Sequence, residues 1–188
     1  MQPIDPLSPW QAWALGPDYP RWTEHLRDGT QVLIRPLQRT DAPAEKEFIA
    51  ALSPESRRFR FLGSVGNASE RLVQELTDLD YERDLAFAAL VRHDGKDLFV
   101  GVSRYSASDD GSSCECAVTV LDEWQHRGLG VLLMKHLIEV AKGRGIKRMW
   151  SIDSAENMAM SDLARFLGFH CEQDPDDTTQ VVHSLWLG

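Results

Sequence analysis

The 188-residue chain contains 43% hydrophobic and 26% charged residues, which is typical of a globular protein with one hydrophobic core. Its net charge of -9 argues against nucleic acid as the main partner, because contacting phosphates requires a basic surface. Three cysteines, an odd number, indicate free thiols and a reducing cytoplasm, and they are too few for a zinc site. No apolar run approaches the roughly 20 residues that cross a bilayer, so we expect a soluble cytoplasmic protein that binds no metal.

Residues 1–28 are rich in proline and tryptophan. They contain five of the nine prolines and three of the six tryptophans. Because dense proline disfavours long helices and central strands, we expect an extended N-terminal arm. Its tryptophans either fasten the arm to the domain or bind a partner.

Residues 29–188 indicate a single domain of mixed strands and helices. Strands are predicted at residues 31–37, 85–92, 98–106, 114–120, 148–154, 169–173 and 180–186. Helices are predicted after Thr40, after Ser53, and at residues 69–79, 129–141 and 158–167. This order of elements indicates a mixed α/β fold with one sheet.

A glycine-containing turn joins the strand at 114–120 to the following helix. Its sequence, residues 125–130, is Gln-His-Arg-Gly-Leu-Gly. Gly128 and Gly130 allow close approach to the backbone, and the first amides of a helix are free to bind an anion. Leu133 replaces the third glycine of a dinucleotide fingerprint, and no P-loop Gly-Lys-Ser/Thr occurs. The alternative is an ordinary helix with a glycine-rich start.

This turn resembles the signature of the GNAT superfamily of N-acetyltransferases, Gln/Arg-x-x-Gly-x-Gly/Ala between a strand and a helix. The resemblance implies a central, mostly antiparallel, twisted sheet of about six to seven strands flanked by helices, with acetyl-CoA as co-substrate. It further implies two groups of coenzyme contacts, one to the pantetheine arm and one to the pyrophosphate. The residues concerned are Val118, Thr119 and Val120 for the arm, and Gln125, His126, Arg127, Gly128, Leu129, Gly130 and Val131 for the pyrophosphate.

Glu115 is the candidate catalytic base. An amine must lose a proton before it attacks, and the pKa of a lysine ammonium is about 10.4. Glu115 stands alone in a mostly apolar strand, where burial would make it a usable base; the alternative is an exposed surface charge. In the family this strand position often carries the base. Asp122 and Glu123 are further carboxylates, but they lie in a turn that we expect to be solvated.

Three other features of the active site follow from the same resemblance. A backbone amide near Val120, where the strand is expected to part from its neighbour, would stabilise the developing oxyanion. Many members carry a tyrosine general acid where this chain has Ala164, which leaves the acid unassigned. Asn157 matches an asparagine that contacts the coenzyme, although a capping role is equally consistent with its position.

Several segments resemble the catalytic domain of bacterial protein lysine acetyltransferases. They are residues 22–30, 34–37, 52–63, 100–105 and 114–120. This resemblance favours a protein lysine side chain as acceptor, but an acetyltransferase for a small amine and a non-catalytic acyl-CoA-binding module stay open. Within residues 57–61, arginines alternate with phenylalanines and form either a substrate rim or a solvated basic face.

Overall fold

A computed structural model describes residues 6–63 and 68–188. Its centre is a sheet of eight strands in the order β1-β2-β3-β4-β5-β6-β8-β7. The strands are β1 Trp22–His25, β2 Gln31–Pro36, β3 Asp84–His93, β4 Lys96–Ala107, β5 Ser113–Val120, β6 Arg148–Ser154, β7 His170–Gln173 and β8 Gln180–Trp186. The predicted mixed α/β fold with one sheet is confirmed, with one strand more than predicted.

Helices cover both faces of this sheet. They are α1 Pro9–Leu15, α2 Ala42–Ala51, α3 Pro54–Phe61, α4 Glu70–Thr77, α5 Leu129–Gly143 and α6 Met158–Phe166, with 3-10 turns at Arg39–Asp41 and Asp122–Trp124. One hydrophobic cluster joins α5 and α6 to the sheet, and a second joins α2 and α4 to the opposite face of β3 and β4. Within the described residues, no helix combines the length and apolarity needed to span a membrane.

The extended arm expected for residues 1–28 is wrong for residues 6–28, which contain a helix and a strand, while residues 1–5 lie outside the described part of the chain. Ser8 caps a short helix, α1, through a reciprocal capping box, and Pro9 occupies the first helical position, where proline is tolerated. The strand β1 then pairs antiparallel with β2 and supplies the eighth strand. Trp22 packs edge-on against Phe87 with ring centroids 5.2 Å apart, so tryptophan does fasten this segment to the core.

The sheet is antiparallel at every described pair of neighbours except β5 and β6. These two strands run parallel, as expected for strands joined by a crossover helix, here α5. Their pairing covers only Ser113–Glu115 against Arg148–Trp150. Beyond Glu115, β5 remains paired with β4 alone, as far as Val120.

Gly101 allows α5 to lie directly on β4. A Cβ atom at this position would come 2.8 Å from Leu133 Cδ1 and 3.2 Å from Leu129 Cδ2. We therefore expect Gly101→Ala to lower the free energy of unfolding by about 1–3 kcal/mol through overpacking. Gly143→Ala is the control, because nothing lies within 4 Å of its Cβ position. Denaturant melts of both variants test this; equal stability would show that α5 is loosely packed.

Candidate active site

The separation of β5 from β6 opens a cleft between two neighbouring strands in the interior of the sheet. The cavity measures about 860 Å³ and is closed at one end by the last parallel pair, Glu115 with Trp150. Its far end is the start of α5. Residues of α3, β5, α5, β6 and α6 and of several connecting segments line it, including Arg27, Phe59, Arg60, Glu115, Cys116, Val118, Thr119, Val120, Gln125, His126, Gly128, Leu129, Gly130, Val131, Asp153 and Asn157. The predicted site residues are therefore brought together, apart from Arg127, which lies beside the cleft.

The backbone of β5 presents unpaired groups to this cleft. The Leu121 N–H donates to the Val100 carbonyl of β4 at 3.0 Å. Because antiparallel strands alternate the direction of their backbone groups, the N–H and C=O of Val118 and Val120 point the other way, into the gap left by β6. The Gln125 side chain donates to the Val120 carbonyl at 3.1 Å and so ties the following turn to this edge.

The turn before α5 exposes a second set of amides. Gly128 adopts a left-handed conformation with φ 90°, which favours glycine, and its carbonyl accepts the first helical hydrogen bond from Leu132 at 3.2 Å. The amides of Leu129, Gly130 and Val131 therefore lack partners within the helix. The Leu129 side chain is buried in the core, so this residue offers the cleft only its backbone.

The connection between β1 and β2 adds positive charge at this turn, a feature that the sequence analysis missed. The Arg27 N–H donates to the Arg127 carbonyl at 3.0 Å. The Arg27 side chain passes 3.6 Å from where a Cβ of Gly128 would stand. Arg127 itself is paired with Asp28 at 3.1 Å. No motif marks residues 27 and 28, since only the pairing of β1 with β2 brings them to the turn.

Asp122 joins the other wall of the cleft to β5. Its carboxylate accepts hydrogen bonds from the Ser53 N–H at 3.0 Å, the Ser53 hydroxyl at 2.7 Å and the Ser56 hydroxyl at 2.8 Å. Ser53 is also the N-cap of α3. Partial burial raises the pKa of Asp122, but these hydrogen bonds outweigh it and hold the pKa below its ordinary value of 3.8. Asp122 therefore has a structural role, because it holds the start of α3 against the end of β5.

The burial expected for Glu115 is wrong. Glu115 alternates with the buried Cys114 and Cys116 along β5 and is itself exposed, at the rim of the cleft. It faces Arg60 of α3, which also lines the cleft. Burial, followed by the charge of Arg104, lowers the pKa of Arg60 to about 10, against the opposing effect of Glu45, Glu115 and Asp153. Arg60 therefore belongs to the cleft wall, whereas Arg58 is exposed and paired with Glu156 at 3.0 Å.

Asn157, the N-cap of α6, and Ala164, within that helix, lie in different environments. The Asn157 side chain caps this helix by accepting from the Met160 N–H at 3.1 Å, and it also borders the cleft. Both interpretations of this residue therefore stay compatible with its position. Ala164, at the place of the family tyrosine, is buried in the core. No tyrosine lines the large cavity within the described part of the chain.

Comparison with known proteins identifies the family to which this fold and this cleft belong. The model of the acetyltransferase (GNAT) family matches residues 50–169. The chain belongs to this family and is an acetyl-CoA-dependent N-acetyltransferase, as the sequence predicted.

Individual relatives and solved structures are consistent with this family assignment. A Pseudomonas aeruginosa protein named acetyltransferase PA5475 is 51% identical over 166 residues, which cover 88% of this chain and 89% of that protein. The GNAT domain of S. lividans PAT has a TM-score of 0.81 at 26% identity, covering 90% of this chain and 100% of that one. The PaiA N-acetyltransferase of Thermoplasma acidophilum, solved in complex with coenzyme A, has a TM-score of 0.66 at 15% identity over 84% of this chain and 99% of its own.

Asp122 should stabilise the protein only while it is ionised. Because its pKa is lower in the folded state, its contribution is complete above the unfolded pKa and is lost as the pH falls through the folded value, below 3.8. Because Asp122 is largely exposed and solvent screens its charge, Asp122→Asn should reduce the free energy of unfolding by less than about 1 kcal/mol at pH 7, and by less still near pH 3.

Denaturant melts at both pH values measure this difference. The Ser53→Ala/Ser56→Ala background is the control, since Asp122→Asn should have a smaller effect once both hydroxyls are gone and only the hydrogen bond from the Ser53 N–H remains. If Asp122→Asn lowered the free energy of unfolding equally at pH 7 and pH 3, the ionised form of Asp122 would not be the source of the stabilisation.

Proposed function

We propose that this enzyme transfers the acetyl group of acetyl-CoA to the side-chain amine of lysine in a protein, with Glu115 as the catalytic base. The observation that carries the proposal is the parting of β5 and β6, which sets unpaired backbone groups beside a carboxylate at the closed end of one cleft. Acetyl-CoA would supply a thioester, whose carbonyl carbon is open to attack by a neutral amine.

The cleft fits coenzyme A at both ends. The unpaired amides of Leu129, Gly130 and Val131, at the positive end of the α5 dipole, suit a pyrophosphate. The outward N–H and C=O of Val118 and the outward N–H of Val120 suit an amide-containing arm that adds to the free side of β5, as extended peptides do. We assign Thr119, between them, and Gln125, His126, Arg127, Gly128 and Asn157, around the turn, to the same coenzyme site.

The exposure of Glu115 supports a macromolecular acceptor. A lysine on the surface of a folded protein can reach a carboxylate only if that carboxylate is open to solvent, as Glu115 is. The net charge of -9 favours encounter with cationic surfaces. The sequence resemblance to protein lysine acetyltransferases and the structural similarity to the GNAT domain of S. lividans PAT support the same class of acceptor.

Glu115 would act by taking a proton from the ammonium and releasing it to water. At pH 7 only about one lysine side chain in 10³ to 10⁴ is neutral, so a base beside the thioester increases the fraction of productive encounters. Val120 is proposed to assist through its outward N–H, which would donate to the oxygen that gains charge as the amine attacks.

The class of acceptor is tested by comparing the rates of acetyl transfer to proteins and to small amines. The purified enzyme is incubated with acetyl-CoA and either lysine-containing proteins or a panel of a polyamine, an aminoglycoside and free amino acids. Thiol release and mass spectrometry measure transfer. Acetyl-lysine on proteins at the higher kcat/KM supports the proposal; faster transfer to a small amine would assign the enzyme to that class. Coenzyme binding without transfer to any amine would indicate a binding module.

Replacement of Glu115 should slow transfer without weakening coenzyme binding. We expect Glu115→Gln to reduce kcat by about 10²-fold or more, since a general base contributes that much, with KM for acetyl-CoA nearly unchanged. Glu123→Gln is the control, because Glu123 is an exposed carboxylate of the following turn and does not line the cleft. A Glu115→Gln enzyme with full turnover would remove Glu115 from the mechanism.

Distortion of the turn at Gly128 should weaken coenzyme binding. Gly128→Ala places a side chain at φ 90°, which L residues rarely adopt, and should raise the Kd of coenzyme A at least about 10-fold. Gly111→Ala imposes similar strain at φ 68° in a distant turn and should leave this Kd unchanged. Calorimetric titration of both variants tests the assignment; equal affinities would place the pyrophosphate elsewhere.

A further inference from the structure

Asp153 is a second carboxylate of the cleft, on the strand opposite Glu115. Extending the parallel register beyond Glu115 and Trp150 places Asp153 level with Val118, across the widening gap. The Asp153 side chain lines the cavity and is 18% exposed, whereas Glu115 is open to solvent. Two carboxylates of different solvent access therefore flank the place where the thioester would lie.

Two buried side chains, those of His183 and Ser151, position the Asp153 carboxylate. His183 of β8 lies 2.9 Å from Asp153 Oδ2 through its Nδ1, and the Ser151 hydroxyl donates to the same oxygen at 2.6 Å. The His183 side chain has no exposed surface, and its Nε2 finds no hydrogen-bond partner among the described residues. Asp153 Oδ1 makes no hydrogen bond to any described residue, so it is available to a group in the cleft.

Other proton donors of the cleft are less suitable for the sulfur. Burial, followed by the neighbouring charges, raises the pKa of the Cys116 thiol well above its ordinary value, so Cys116 holds its proton more tightly than a free thiol does. His126 lies in the turn before α5, at the other end of the cleft from Glu115. Ala164, buried in the core, offers no hydroxyl.

The geometry points to Asp153 as a second catalytic residue, which takes one proton from the amine and returns it to the leaving sulfur. This inference rests on the proposed function. An ammonium loses two protons when it becomes an amide: the C–N bond forms, the C–S bond breaks, one proton leaves to water and one ends on the thiol. Exposed Glu115 delivers the first proton to solvent. Shielded Asp153, with Ser151 and His183 as positioning residues, carries the second from nitrogen to sulfur.

Substitution of Asp153 tests this role in two independent ways. Asp153→Asn should reduce kcat about 10-fold or more with little change in KM for acetyl-CoA, since a group that only shapes the cleft would change KM instead. Without turnover, calorimetry compares coenzyme A with desulfo-coenzyme A. The wild-type enzyme should prefer the thiol by roughly 2- to 10-fold through a hydrogen bond to Asp153, and Asp153→Asn should lose this preference.

Two further variants make the outcome decisive. Ser151→Ala, which removes one of the two hydrogen bonds to Oδ2, should lower kcat by a smaller factor and is used if Asp153→Asn fails to fold. Asp97→Asn is the control, because Asp97 is an exposed carboxylate on β4 that pairs with Arg92 and does not line the cleft. Wild-type kcat and thiol preference in Asp153→Asn, or in Ser151→Ala if that variant replaces it, would overturn the inference. A wild-type enzyme that acetylates no amine but retains the thiol preference would overturn the proposed function alone.

Discussion

The loss of hydrogen bonding between β5 and β6 after three residue pairs is the constraint on which the cleft depends. A parallel pair that continued to Val120 would satisfy every backbone group and leave no edge. Because β6 turns away while β5 stays paired with β4, polar backbone groups remain unpaired at the side of a sheet. Such groups favour a ligand that can replace the missing strand, and the cleft provides the room for one.

The walls of this cleft are held by contacts that span distant parts of the chain. Asp122 binds both serines at the start of α3, across 69 and 66 residues of sequence. On the other side, the Arg27 N–H fixes the turn before α5 from the β1–β2 connection. These contacts explain how a turn with two residues in left-handed conformations, His126 and Gly128, is kept in one arrangement.

The parts of the structure that could be predicted from sequence are those encoded locally. The alternation of apolar and polar residues, together with turn residues, located seven strands, and the pair Gly128 and Gly130 located the start of α5. Each of these signals is contained within a few consecutive residues. The strand β1 was missed because its proline-rich surroundings argue against sheet, and only pairing with β2 reveals it. The exposure of Glu115 and the contact of Asp153 with His183 depend on strand register and on how far β6 diverges, which no local pattern specifies.

The attachment of α1 determines where the chain can be shortened. Arg144, the C-cap of α5, stacks under Trp10 at 4.2 Å and donates to the Tyr81 carbonyl at 2.8 Å and the Tyr105 hydroxyl at 2.9 Å. A protein trimmed to begin at residue 29 would lose this aromatic cover, together with a whole edge strand. The half-buried guanidinium and a row of unpaired β2 amides would then face water, and bare edges of that kind promote self-association. The described part of the segment predicted to be an extended arm, residues 6–28, therefore belongs to the folded domain, because it completes one side of the sheet and covers Arg144.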